Sequence, residues 1–125
     1  MSDVRGHDPE CPFCAIPQSQ PEKLLATGDF AYALTPLDPV VPGHVLIVPF
    51  IHVKDFTTMP ILSAEVMEFA AEYATSQIPG SVNLITSKGR EATQSVFHLH
   101  LHLVPRARDD GLALPWYSGK GGHRD

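Results

Sequence analysis

Three histidines alternate with leucines in Phe97-His98-Leu99-His100-Leu101-His102-Leu103-Val104. In an extended strand successive side chains point to opposite faces, so Leu99, Leu101 and Leu103 share one face and the three imidazoles the other. The leucine face belongs in a core. The imidazole face is either the polar side of a half-exposed strand, as antiparallel sheets often have, or a row of groups suited to metal binding, proton transfer or nucleophilic attack. Spacing divides the labour. At ~3.3 Å per residue, neighbouring histidines lie ~6.6 Å apart and His98 and His102 ~13 Å apart. A zinc ion holds nitrogens at about 2.0–2.1 Å, so it takes one of these rings or two adjacent ones, and hardly all three. At least one imidazole is left for other chemistry.

Cys11-Pro12-Phe13-Cys14 offers the other half of a metal site. Two thiolates at this spacing chelate one tetrahedral zinc, and two histidines from elsewhere complete the set. The same motif also reads as a thiol–disulfide pair. Such a pair wants a preceding strand and a long following helix, whereas His7, Asp8, Pro9 and Glu10 stand upstream and Pro17 interrupts the helix.

The elements that must hold these groups are short. Proline is 12 of 125 residues, about twice the ~5% average, which predicts many turns. Residues 1–10 read as a loose end, and Cys11–Ile16 as one helical turn stopped by Pro17. Lys23–Thr27 and Phe30–Leu34 read as strands joined by a primed turn at Gly28-Asp29. Thr35–Gly43, with Pro36, Pro39 and Pro42, reads as an irregular loop, and Val45–Val48 as a buried strand closed by Pro49. Pro60–Thr75 is the main helix, with Leu62, Val66, Phe69 and Tyr73 on one stripe. Val82–Thr86 and Val96–Val104 complete the strands around a polar loop, Ser87–Ser95, whose Gly89 suits backbone N–H contacts to an anion. Residues 107–125 form an irregular tail. Its Leu112-Ala113-Leu114-Pro115-Trp116-Tyr117 is apolar enough to pack on its own subunit or on a second one, and its Gly119-Lys120-Gly121-Gly122 is no P-loop. His123 belongs to the tail. The whole is a single α+β domain with a five-stranded, largely antiparallel sheet.

Composition excludes other classes. A net charge of −5 with no basic run speaks against long nucleic acid as a partner. No stretch approaches the ~20 apolar residues of a membrane span. The opening MSDVRGHDPE lacks the apolar run of a signal peptide, so a cytoplasmic location is expected.

Pro42-Gly43-His44-Val45-Leu46-Ile47-Val48-Pro49 with His52, followed by Gln94-Ser95-Val96 and the histidine run, resembles the histidine triad (HIT) family, specifically its Hint-like branch. The resemblance runs from Cys11 to Arg106, so residues 11–106 are the HIT domain on this reading. It implies a HIT-like fold paired across a two-fold axis into a homodimer. It also implies attack on the α-phosphate of a nucleoside monophosphate derivative, a small-molecule nucleotide substrate, through a covalent nucleotidyl-histidine. By the same resemblance His100 is the nucleophile, His102 contacts the phosphate and His44 orients the site. Gln94, Ser95 and Ser87 match substrate-binding positions, and Cys11, Cys14, His52 and His98 match the ligands of a structural zinc. The chain departs from the family at Pro36, where an acidic residue usually grips the ribose, at Ser87, usually asparagine, and at Thr93, usually glycine. A phosphoramidate is the leading substrate, with diadenosine polyphosphate hydrolysis and non-catalytic nucleotide binding as alternatives.

Overall fold

The computed structural model describes residues His7–Gly121; the first six residues of the expected loose end, together with Gly122 and His123, lie outside the described residues. Chain order is α1 (Pro12–Ser19), β1 (Leu24–Thr27), β2 (Ala31–Leu34), β3 (Val45–Pro49), α2 (Pro60–Gln77), β4 (Val82–Ile85) and β5 (Leu101–Pro105). The five strands form one antiparallel sheet in the order β1-β2-β3-β5-β4. Among the described residues no helix is long and apolar enough to cross a membrane.

Both faces of the sheet are covered. On one, Leu62, Val66 and Ala70 of α2 pack on Ala31, Ala33, Val45, Ile47, Leu101 and Leu103, which places the leucines of the alternating run in this core. On the other, Cys11, Phe13 and Cys14 of the α1 segment pack on Tyr32, Leu34, Leu46 and Val48. The histidines therefore face α1. At about 25 cal/mol per Å² of apolar surface removed from water, these two clusters are the main stabilising term.

Three local expectations are corrected. Pro17 does not end α1 but sits inside it. A proline there cannot donate to the carbonyl four residues back, and that carbonyl, Phe13 O, instead accepts the hydroxyl of fully buried Tyr32 at 2.7 Å. One phenol thus repairs the helix and ties it to β2. Gly28 is not in a primed turn, since neither it nor Asp29 has positive φ. Its missing side chain answers to packing, because a Cβ would sit 2.8 Å from the Phe69 ring. The strand expected over Val96–Val104 starts only at Leu101. Continuing the β3–β5 register, in which Ile47 faces Leu101, would set Leu99 opposite Pro49, which has no N–H to offer. Leu99 N–H donates instead to Val53 O at 2.7 Å, and the Pro49 carbonyl is left for a histidine.

Candidate functional site

The three histidines meet different partners, and each partner selects a ring nitrogen. Fully buried His98 lies against the Pro49 carbonyl, with Nε2 2.8 Å away. A carbonyl only accepts, so Nε2 carries the proton. Burial first, then neighbouring His52 and His100, lower the pKa of this ring to about 4, against the support of the Pro49 bond, so the ring is neutral and Nδ1 is bare.

That bare Nδ1 faces the cysteines. It lies 3.4 Å from Cys11 Sγ, 3.6 Å from Cys14 Sγ and 3.1 Å from His52 Nδ1, while His52 Nδ1 is 3.5 Å from Cys14 Sγ. A tetrahedral zinc with bonds of ~2.3 Å to sulfur and ~2.05 Å to nitrogen sets S···N edges of ~3.5 Å and an N···N edge of ~3.3 Å. The four donor atoms all lie within 4.8 Å of one another. Burial pushes the Cys14 thiol up to about 11, so without a cation it stays protonated; a dication supplies what a thiolate here needs. The donor set fits zinc, and the four positions are those singled out from the sequence.

His100, half-buried, places Nδ1 2.7 Å from the His98 carbonyl, so Nδ1 donates and Nε2 keeps its lone pair. Burial lowers its pKa, which the same hydrogen bond partly offsets. The Phe13 ring packs edge-on to it at 5.1 Å between centroids. Its carbonyl accepts from Thr86 Oγ1 at 2.8 Å, fixing the backbone that carries it.

His102 is fixed through a two-step relay. Gly43, at φ +87°, turns the loop so that the backbone N–H of Val40 donates to His44 Nδ1 at 3.1 Å. Burial lowers the pKa of His44, so the ring is neutral and its proton is on Nε2. That nitrogen lies 3.0 Å from His102 Nδ1 and donates to it. His102, lowered to about 4 by burial, His100 and His44, therefore carries its one proton on Nε2. A bare nitrogen on His100 and an N–H on His102, with ring centroids 5.2 Å apart, make a nucleophile beside a hydrogen-bond donor.

The expected substrate contacts separate. Ser87 shares a hollow of about 360 Å³ with His44, His102 and Thr93. Ser95 lines another beside Cys11, His52 and Phe97. Gln94 is buried, and its amide is engaged by backbone: Gly89 N–H donates to Oε1 at 2.9 Å, and Nε2 donates to Lys54 O at 2.7 Å and Val96 O at 3.2 Å. It holds the loop before the histidines. The departure at Thr93 has a geometric meaning, since its φ is +74°, a left-handed conformation that favours glycine.

Sequence reasoning missed the Val40 N–H and Pro49 carbonyl, because backbone partners leave no trace in residue type. It also missed the ion pair of Arg106 with Asp110 at 2.8 Å, whose only signal is an arginine closing the last strand with a carboxylate four residues on.

A HIT domain matches residues 18–109. The chain is 32% identical over 120 residues to adenosine 5'-monophosphoramidase of Saccharomyces cerevisiae, spanning 93% of this chain and 75% of that one. It is 38% identical over 96 residues to bis(5'-adenosyl)-triphosphatase of the same yeast, spanning 68% of this chain but 44% of that one. Among solved structures it is similar to a histidine triad protein from Clostridium difficile, with a TM-score of 0.73, 25% identity and 89% and 98% of the two chains covered. It is also similar to a HIT family hydrolase from Clostridium thermocellum, with a TM-score of 0.70, 27% identity and 80% and 93% covered.

Proposed function

The chain belongs to the HIT domain family, and on that premise we propose that it is a nucleotide hydrolase or transferase acting at the α-phosphate of nucleoside phosphoramidates. The observation that carries the reading is the 2.7 Å bond from His100 Nδ1 to the His98 carbonyl, which leaves Nε2 as a neutral nucleophile. His100 Nε2 attacks phosphorus, an N–P bond forms, and the bond to the leaving amine breaks. His102 Nε2–H donates a hydrogen bond to the departing nitrogen, which takes up a proton from solvent as it leaves, while His44 holds His102 Nδ1. Water then attacks the phosphorus of the nucleotidyl-histidine, a P–O bond forms, the bond to His100 Nε2 breaks and the spare proton returns to solvent, giving the nucleoside monophosphate.

Cys11, Cys14, His52 and His98 would hold the zinc, which with four protein ligands would serve as a structural cross-link between α1 and the segment that carries His100. Ser87 and Thr93 face the substrate from the loop. Edge strand β4, with Leu84 36% and Ile85 40% exposed, offers itself to a second copy, as a homodimer requires. Two buried, unbridged cysteines suit a reducing, cytoplasmic compartment.

A second reading, hydrolysis of diadenosine polyphosphates, is favoured by the 38% identical yeast relative and by Lys54 and Arg90 flanking Phe97 at 5.6 and 5.2 Å. A panel of nucleoside phosphoramidates and diadenosine polyphosphates separates the two. His100→Asn should lower turnover by on the order of 10⁴-fold or more with the melting temperature kept. Residual activity within a few-fold of wild type removes His100 from its role, and no turnover of any substrate leaves only nucleotide binding.

A further inference from the structure

Three of the chain's nine lysines and arginines, Lys54, Lys88 and Arg90, line one hollow of about 610 Å³ with Gly89, Glu91 and Phe97. It shares no residue with the hollow of His44 and His102. Half-buried Phe97 holds two of the cations by its ring. Lys54 Nζ lies 5.6 Å from the ring centroid and the Arg90 guanidinium carbon 5.2 Å, both within reach of a cation–π contact. A buried amide joins the two segments that carry these charges. Gln94 Oε1 accepts Gly89 N–H at 2.9 Å and Nε2 donates to Lys54 O at 2.7 Å, so the Lys88–Arg90 loop and Lys54 are fixed to each other outside the sheet. Buried Asp55 stands close by. The hydroxyl and N–H of Thr57, at 2.6 and 2.9 Å, lower its pKa first, and the charges of Lys88 and Lys54 lower it further.

The charge collected here runs against the rest of the chain. Glu91 and Asp55 offset two of the three cations, which leaves one positive charge in excess on a protein whose net charge is −5. Among the described residues none of the three cations closes a salt bridge. Exposed head groups gathered round one ring still repel one another, because screening acts only over ~10 Å at 0.1 M salt. A ligand with several linked negative charges relieves that repulsion at all three, whereas a single carboxylate relieves it at one. The guanidinium fork and the two ammonium groups both suit phosphate oxygens. Phe97, already flanked by cations, is not needed to stack a base. A long nucleic acid would carry most of its charge beyond the hollow, over an acidic surface.

We propose that the hollow of Lys54, Lys88 and Arg90 is a second anion site, separate from the histidines, that takes a polyphosphate chain of three or more linked phosphates. The site does not depend on the chemistry assigned to His100. Calorimetric titration of His100→Asn, in which turnover is lost, tests it with tripolyphosphate, ATP, orthophosphate and AMP. Tripolyphosphate should bind one per chain and about tenfold or more tighter than orthophosphate, since only the chain spans several cations. Lys88→Gln and Arg90→Gln should each weaken it by about fivefold, and together by on the order of 25-fold. Raising the salt from about 0.05 to 0.5 M should weaken it by about tenfold, as expected of exposed charges. AMP should leave it in place.

The ATP arm separates the two sources of such a chain. ATP bound no tighter than tripolyphosphate assigns the site to the bare chain, and ATP bound tighter, with the gain lost in the double variant, assigns it to a nucleoside triphosphate. Lys88 and Arg90 are exposed, so the melt of the double variant should not move. Should it fall, Lys54→Gln with Arg90→Gln carries the same test. Four results would each overturn the inference: no binding at low salt, orthophosphate bound as tightly as the chain, displacement of the chain by AMP, or heats unchanged in the double variant. None of them touches the phosphoramidase reading, which stands or falls on turnover by His100.

Discussion

His98 and His102 stand four residues apart on the same alternating run, yet their surroundings give them opposite work. At the His98 end the partner across the fold is a backbone carbonyl, Pro49 O, so Nε2 donates and Nδ1 turns its lone pair to the thiols. At the His102 end the partner is another imidazole, itself fixed by the Val40 N–H, so Nδ1 accepts and Nε2 donates outward. His100, between them, takes the reverse arrangement because its acceptor is the His98 carbonyl. Identical side chains thus carry their protons on alternating nitrogens, selected by whether each neighbour donates or accepts. On the function proposed above, one end serves as a metal cross-link and the other as the reaction site.

The largest effect is expected at the His98 end. Cys14→Ser, or stripping with a strong chelator, should remove one equivalent of zinc and lower stability by several kcal/mol, because metal binding here is coupled to holding α1 on the sheet. Elemental analysis and a thermal melt check this together. Metal-free protein with an unchanged melt, or a Cys14→Ser variant as stable as wild type, would break the cross-link assignment.

At the reactive end the expected loss is kinetic. His44→Ala removes the donor that fixes the His102 tautomer, and turnover should fall about 10²-fold with zinc content intact. If His44→Ala instead releases zinc, the two ends are not separate.

How far this division was legible in the sequence depends on which partners are side chains. Leucine–histidine alternation and the CxxC motif announce themselves in residue types, and the helix stripe of Leu62 and Val66 placed α2 correctly. Alternation even survives where the ladder does not: Leu99 is buried although residues 96–100 lie outside β5. Tautomer selection was hidden, because Pro49 O, His98 O and Val40 N–H are backbone groups that any residue supplies. The backbone bonds of Gln94 were hidden for a related reason: an amide that suits a phosphate suits backbone equally, and this one is buried among backbone groups.

Acid acts on the His102 end more gently. Folded His102 resists protonation until about pH 4, whereas an unfolded histidine titrates near 6.5. Between those values the unfolded chain takes up a proton that the folded one refuses. Its contribution to stability is therefore complete above about pH 6.5 and is lost as pH falls towards 4. His44, also lowered by burial, adds in the same sense. Urea midpoints of wild type and His102→Asn should converge as pH drops through this window, and parallel curves would mean that His102 is not held neutral by the fold.

The smallest effect belongs to the loop that faces the reactive end. Thr93 is held at φ +74° by a tight set of bonds: its own N–H to Arg90 O and Gln94 N–H to Gly89 O, both at 3.0 Å, with Gly89 N–H on the Gln94 side chain. A β-branched residue in this conformation costs about 1–2 kcal/mol, whereas glycine avoids that strain but gives back roughly 0.5–1 kcal/mol in backbone entropy. Thr93→Gly should therefore stabilise the fold by up to about 1 kcal/mol, a rise of roughly 2–4 °C in Tm. Because Thr93 lines the hollow with His102, the same change removes a side chain from the substrate's side, and KM should move while the zinc corner does not. A lowered Tm would mean that the threonine side chain secures the loop by more than its strain costs, and the hollow's near wall would then owe its shape to Thr93 rather than to Gln94.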